Sequence, residues 1–470
     1  MKKAALGVVI GNRGVFPGYL AEQGRKDIVT LLEKKGIEPV IVPSEDTKYG
    51  AIENLQEAKK CADLFRKNRE KIDGILVSLP NFGDERAVAD TIKMSELDVP
   101  VLVQASPDEL GKMGVETRRD GFCGKLSVCS NLRQYGIRFS LTESHTVEPS
   151  SEEFSSDLDR FTKVCRIVKN VRKARIGVIG ARTTPFKTVR YSEKLLEDSG
   201  VSVDVIDFSE IVIAVEKLKD GDGDVKSKLN FLAGYCPADG VPEKSLLNMA
   251  KLGVVIDRWI KENEFNACAV QCWSAMQQTL GVFPCTLMSM MNSSFLPAAC
   301  EVDVVGALAM YMLQLATDRP SGLFDWNNNY GDDPDLAVLF HCSSLPKSML
   351  KGICMEYNAI DASVSKSKEN SYGTCSGRMG SGPMTFARIT TDDVCGRIVA
   401  CVGEGEFTDD PLDTFGGVAV ARIGRLQELL QFLCREGFEH HVAVSQALAG
   451  DILFEAMDNY LDWEVYYHNE

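Results

Sequence analysis

The sequence predicts an α/β chain in which two Rossmann-like parallel-sheet domains precede a C-terminal, mainly β domain. Three observations lead there. Short, nearly continuous apolar runs alternate with stretches of helical spacing over the first third of the chain. The alternation restarts after the basic stretch at 172–175, and from about residue 319 turn-rich, strand-like runs take over. At 470 residues the chain is about three times a typical core of ~150, so two or three domains fit.

In order, residues 5–10, 38–42, 74–79 and 99–103 read as strands, and 18–35, 51–69 and 85–94 as helices. These strands lack a two-residue polar alternation, as expected where crossover helices bury both faces of a parallel sheet. They make up a first domain over 1–171. A second, over 172–318, begins with a strand at 176–179, a helix at 188–198 and a strand at 201–207. A helix at 254–261, a strand at 267–271 and two apolar helical segments within 287–315, broken near Pro297, complete it. Its KDGDGD stretch at 219–224 lacks the twelfth-position Glu of a calcium loop and reads as a solvated turn. The third domain, 319–470, opens with a Gly/Asn-rich loop and carries strand-like runs at 336–340, 385–389, 394–402 and 418–423. A helix at 424–436 follows, before His440-His441.

Composition excludes several function classes. Hydrophobic residues at 44% and charged residues at 25% are globular proportions, not those of a disordered chain or a fibre. The net charge of −15 repels phosphate backbones and anionic membrane surfaces, so no nucleic acid and no membrane partner is expected. No apolar stretch approaches the ~20 residues of a membrane helix. The N-terminal run mimics a signal peptide but ends at Gly11-Asn12-Arg13 without a small-residue cleavage pattern, so it reads as a strand. Fifteen scattered cysteines without a CxxC pair suggest a reduced, cytoplasmic home. There is no GxGxxG, no GxxxxGK[ST] and no GxSxG, which disfavours a Rossmann dehydrogenase and a triad hydrolase.

With only five histidines, each is informative. His145, in a polar loop, and His468, near the chain end, read as solvated. His341 ends an apolar strand, where an abrupt polar residue commonly faces a cleft. His440 and His441 open the strand-like 442–444, and strand alternation turns at most one of them to any single site. Glu301 reads as a first-turn acid of the helix at 302–315, favoured by the helix N-terminus or simply capping it. Asp325 lies between Phe324 and Trp326 in the loop 322–329, an awkward place for a purely solvated acid. A Glu, an Asp and a His on separate elements form an oxygen-rich set suited to Mn²⁺, Co²⁺ or Mg²⁺.

The blocks PAACEVDVVGAL at 297–308, FDWN at 324–327, LFHCSSLP at 339–346, HHVAVS at 440–445 and WEVYY at 463–467 resemble, in order and separation, the L-fucose/L-arabinose isomerase superfamily. SLPNFG at 78–83 adds to the likeness, which spans the chain. The resemblance implies a three-domain subunit whose C-terminal domain is barrel-like, and a metal-dependent aldose–ketose isomerase acting on an aldohexose or aldopentose, such as L-fucose, D-arabinose or sulfoquinovose. It implies a bound Mn²⁺, with Co²⁺ or Mg²⁺ as substitutes, held by Glu301, Asp325 and His441. His341 matches a further ligand of the arabinose isomerase branch, whereas fucose isomerases use fewer side chains. Glu301 and Asp325 would be the general base and acid of a cis-enediol path, in an order left open. Trp273, Asn12, Arg13 and His440 are candidate sugar contacts, with a core role for Trp273 equally open. A homo-oligomer, trimer or hexamer, whose pocket is shared between subunits is also implied. The other reading is a non-catalytic two-lobe sugar-binding protein, which has no use for a Glu/Asp/His set.

Overall fold

The apolar runs at the N-terminus become buried parallel strands because each feeds side chains to two cores at once. The computed structural model describes residues 3–183 and 186–469. By internal contacts these form one unit of residues 1–169 with 459–461, and another of 170–458 with 462–470. In the first, β1 (Ala5–Ile10), α1 (Gly18–Lys34), β2 (Glu38–Ile41), α2 (Leu55–Lys67), β3 (Gly74–Leu79), α3 (Glu85–Ser95), β4 (Val101–Ala105), α4 (Gly121–Gln134), β5 (Ser140–Leu141) and α5 (Glu152–Val171) follow in turn. The parallel sheet runs β2-β1-β3-β4-β5. Val9, Val77 and Val103 pack with Phe65 and Val128 on one face. Their strand neighbours Leu6, Val8, Leu76 and Leu102 pack with Ile28, Leu32 and Phe161 on the other. Two-sided burial is why the strands show no polar alternation. Asn54 and Asp84 cap α2 and α3 by accepting backbone N–H groups.

The second unit opens with β6 (Arg175–Ile179), α6 (Glu193–Asp198), β7 (Ser202–Ile206), α7 (Phe208–Glu216), α8 (Gly223–Tyr235), α9 (Glu243–Asn263), β8 (Ala267–Val270), α10 (Ala275–Leu280), α11 (Cys285–Ser293), β9 (Ala298–Cys300) and α12 (Val304–Thr317). Its parallel sheet runs β7-β6-β8-β9. The stretch 287–315 holds the two expected helical segments, in α11 and α12. Between them runs the buried strand β9, whose Ala-Ala-Cys sequence suits either structure and pairs with β8 after Pro297 ends the helical path. The KDGDGD stretch is a turn into α8, where Asp222 accepts the Lys219 N–H.

The chain continues with β10 (Ser321–Asn329), β11 (Leu336–His341), β12 (Leu350–Tyr357), α13 (Ala359–Ser365), β13 (Tyr372–Met379), β14 (Gly382–Asp392), β15 (Arg397–Thr408), β16 (Gly417–Arg422), α14 (Leu426–Glu436), β17 (His441–Ser445), α15 (Gly450–Phe454) and β18 (Glu464–His468). The sheet order is β12-β13-β16-β11-β10-β17-β14-β15-β18, and β15 also pairs with β16. That extra pairing closes β16, β11, β10, β17, β14 and β15 into an antiparallel ring, the barrel anticipated for this region. Phe324, Leu339, Phe386, Phe407 and Val444 fill its core. Residues 321–329 are barrel strand β10, not a loop; its polar Asn-rich end masked the buried Leu323 and the inward Phe324. Among the described residues no helix is long and apolar enough to cross a membrane.

Candidate metal centre

Glu301 follows β9 directly, at the carboxyl end of a parallel sheet where α/β folds present functional groups. Glu301 and Val302 have φ of 62° and 63°, two consecutive left-handed residues of which one is β-branched. Such a backbone costs ~1–2 kcal/mol per residue and is kept where it aims a functional group. The turn is fastened by Val302 N–H to Val270 O (3.2 Å) and Asp303 N–H to Cys300 O (3.0 Å). Glu301 is thus not in the first turn of a helix. The acid that caps α12 is Asp303, whose carboxylate accepts the Gly306 N–H at 2.9 Å.

The barrel supplies the other donors. Asp325 on β10 stands directly across from His441 on β17, and β11, the strand on the other side of β10, ends in His341. The His441 Nε2 lies 3.0 Å from a Glu301 oxygen and 3.4 Å from Asp325 Oδ1. The His341 and His441 rings are 5.7 Å apart between centroids. One donor atom each from Glu301, His341 and His441 falls within 4.8 Å of the others, as does one each from Asp325, His440 and His441. The two groups share His441.

Electrostatics make this a site that demands a positive charge. Burial alone would push the Glu301 carboxyl up, yet contact with His441 and the nearness of His341 bring it below its usual range. Burial likewise disfavours a charged His441, but Asp303, Glu301 and Asp325 outweigh it and raise the ring to about 10. Asp325 Oδ1, His341 Nδ1 and His441 Nε2 are buried without a hydrogen bond, although buried polar atoms are nearly always satisfied. Carboxylate oxygens and imidazole nitrogens gathered in two groups about His441 fit a divalent cation of borderline or hard character. Burial pushes the thiol of Cys342, next to His341 in sequence, up from its ordinary range.

Trp273, Glu301, Asp325, His341, His440 and His441 are brought together. The Trp273 indole N–H donates to Glu301 Oε1 at 3.1 Å, so this tryptophan does more than fill a core. His440 corrects the alternation argument. It precedes β17, so both histidines of the pair approach Asp325, His440 Nε2 at 3.6 Å. His468 is also not solvated, being buried with its Nε2 2.7 Å from Gly424 O, because β18 lies against the barrel strand β15. His145 is exposed, edge-on to Phe122.

Asn12 and Arg13 belong to the N-terminal unit, at the carboxyl edge where β1 and β3 diverge. Asn12 is buried between Glu53 and Asn81. Arg13 pairs with Glu85, bonds Gly83 O at 2.9 Å and covers the Phe82 ring. Three residues escaped sequence reasoning. Phe186 packs edge-on against both Trp273 and His440, and Thr188 Oγ1 lies 3.3 Å from His440 Nδ1. Asp303 was legible only as a cap, from an Asp three residues before Gly306 at the head of an apolar helix.

Residues 7–172 match the fucose/sulfoquinovose isomerase N-terminal domain, and residues 339–469 the L-fucose isomerase C-terminal domain. Between them the two matches take in well over half of the chain. The chain belongs to the L-fucose isomerase-like superfamily of sugar isomerases. It is similar to the sulfoquinovose isomerase of Priestia megaterium, 22% identical over 436 residues and 92% of each chain. That of Alkalicoccus urumqiensis is 24% identical over 390 residues, 80% of this chain and 82% of its own. Within the superfamily frame, His341 and His441 fall inside the C-terminal match, while Glu301 and Asp325 lie between the two matches.

Proposed function

We propose that this chain is a divalent-metal-dependent aldose–ketose isomerase whose metal, Mn²⁺ by preference, is held by Glu301, Asp325, His441 and His341. The observation that carries the reading is the convergence of two carboxylates with buried, unsatisfied imidazole nitrogens in a member of a sugar isomerase superfamily. A bound divalent ion supplies Lewis acidity toward the carbonyl and hydroxyl oxygens of the sugar. The remaining work belongs to the chain.

Moving the carbonyl from C1 to C2 needs one proton removed from C2 and one delivered to C1. Glu301 and Asp325 do this as general base and general acid, in either order, through a cis-enediol. The indole N–H of Trp273 fixes one Glu301 oxygen and so orients the other, which faces His441 Nε2. Phe186, Trp273 and His440 give an aromatic wall against which a sugar's C–H face packs and which keeps water off the enediol. Asn12 and Arg13 are proposed as sugar contacts of a homo-oligomer, a trimer or hexamer, in which a neighbouring copy completes the pocket. Because the relatives named sulfoquinovose isomerase align over most of their length, sulfoquinovose is the first substrate to test.

The test is ketose formation by chelator-treated protein from sulfoquinovose, L-fucose, D-arabinose and L-arabinose, with Mn²⁺, Co²⁺ or Mg²⁺ restored. Ketose from at least one sugar, only after an ion is returned, is expected. No ketose from any of them under any of these ions would overturn the reading.

A further inference from the structure

We propose that Asp303 is the positioning residue for His441, and that Asp303 is itself clamped by a buried chain running through Arg388 to Glu439 and Thr390. The inference rests on the reading of His441 as a metal ligand. Asp303 is wholly buried, and its Oδ2 lies 2.8 Å from His441 Nδ1. With that nitrogen's proton held by a carboxylate, the tautomer is set and the other nitrogen, Nε2, is turned toward Glu301 and Asp325.

Asp303 cannot swing away. Its Oδ1 is tied to the Gly306 N–H at 2.9 Å, and its Oδ2 receives Arg388 Nη1 at 2.5 Å. Gly306 is itself required here, because a Cβ at that position would stand 2.4 Å from Asp303 Oδ2. Arg388, on barrel strand β14, is 2% exposed. Its Nε donates to Glu439 Oε2 at 3.0 Å, and Thr390 Oγ1 donates to the other Glu439 oxygen at 2.7 Å. Two elements far apart in sequence, α12 and β14, thus grip one imidazole.

A helix cap explains only part of this. Ser, Thr or Asn caps as well as Asp, so capping needs an acceptor but no charge. Burying an Arg with two carboxylates is often no more stable than packing apolar side chains of the same volume. What the ion chain adds is a single fixed orientation of the ring. Its outer end, Glu439 with Thr390, lines a cavity of about 690 Å³, where a substitution is more easily absorbed than at the buried Asp303.

The experiment compares the full-length protein with Asp303→Asn, which keeps the cap and removes the charge, and with Glu439→Gln. Mn²⁺ affinity is titrated, and the visible absorption of the Co²⁺-loaded protein, which reports ligand geometry, is recorded. Asp303→Asn should bind Mn²⁺ about 10–100-fold more weakly and shift the Co²⁺ bands. Glu439→Gln should move both in the same direction by less. Wild-type uptake with an unchanged affinity and spectrum in Asp303→Asn would overturn the positioning role alone. If the wild type takes up neither ion, the metal reading and this inference fall together. If Asp303→Asn does not fold, Glu439→Gln decides, and wild-type behaviour there overturns the proposal.

Discussion

Removing the metal should destabilise the C-terminal unit by an amount that follows from its ligand set. In the metal-free protein Asp325 Oδ1, His341 Nδ1 and His441 Nε2 have no hydrogen bond, so an ion that satisfies them binds the folded state alone. At a free Mn²⁺ concentration a hundredfold above Kd, linkage gives ~2.7 kcal/mol of stabilisation. For a unit spanning residues 170–458 and 462–470, that corresponds to a rise in melting temperature of about 4 °C. Glu301→Gln keeps the side-chain size and an acceptor for Trp273 but removes one of the two carboxylates facing His441 Nε2. A hundredfold loss of affinity would leave the same Mn²⁺ concentration equal to Kd, shrinking the stabilisation to ~0.4 kcal/mol, about 1 °C. Calorimetry on chelator-treated protein, with and without Mn²⁺, reads both shifts. No shift in the wild type, or an equal one in Glu301→Gln, would refute the ligand assignment.

Trp273→Phe removes the N–H that holds Glu301 Oε1, a hydrogen bond to a charged group worth ~1.5–3 kcal/mol, and should lower kcat about 10- to 100-fold with the fold intact. Steady-state kinetics check this, and a wild-type kcat would remove Trp273 from the mechanism. Gly124→Ala puts a Cβ 1.7 Å from the Phe82 carbonyl oxygen, so α4 must withdraw from the loop after β3. The expected cost is about 1–3 kcal/mol, read as a lower melting temperature of the N-terminal unit. Burial raises the Asp303 carboxyl, but Arg388 and the His441 contact more than reverse this and hold it well below the usual range. Its contribution is therefore fully present above the unfolded value of about 3.9 and is lost as pH falls toward the folded one. The part of the stability gap between metal-free wild type and Asp303→Asn that the Asp303 charge supplies should shrink as pH falls below about 4. A gap that does not change with pH would contradict it.

The parts of the fold legible in the sequence are those where one physical requirement dominates. β1, β3 and β4 are apolar because both sheet faces are covered, and their regular alternation with helical stretches gave them away. β9 was hidden because three small residues between two apolar helices carry no period. β10 was hidden because Asn327, Asn328 and Asn329 resemble a loop although Phe324 points into the barrel. At the candidate centre, Glu301, Asp325, His341 and His441 stood out as polar residues abruptly ending or beginning apolar runs. Asp303 and Arg388 did not, because a buried ion pair between residues 85 positions apart leaves no local trace in either segment. His440 was misjudged for a local reason too: alternation holds only within the strand, and the strand begins one residue later.

Proton-transfer isomerisation is tested most directly by NMR of sulfoquinovose incubated in D₂O with the Mn²⁺-loaded protein. Glu301 and Asp325 acting on C2 and C1 predict a ketose product carrying solvent deuterium at C1. No ketose, or a ketose whose C1 hydrogen has come entirely from C2, would contradict it.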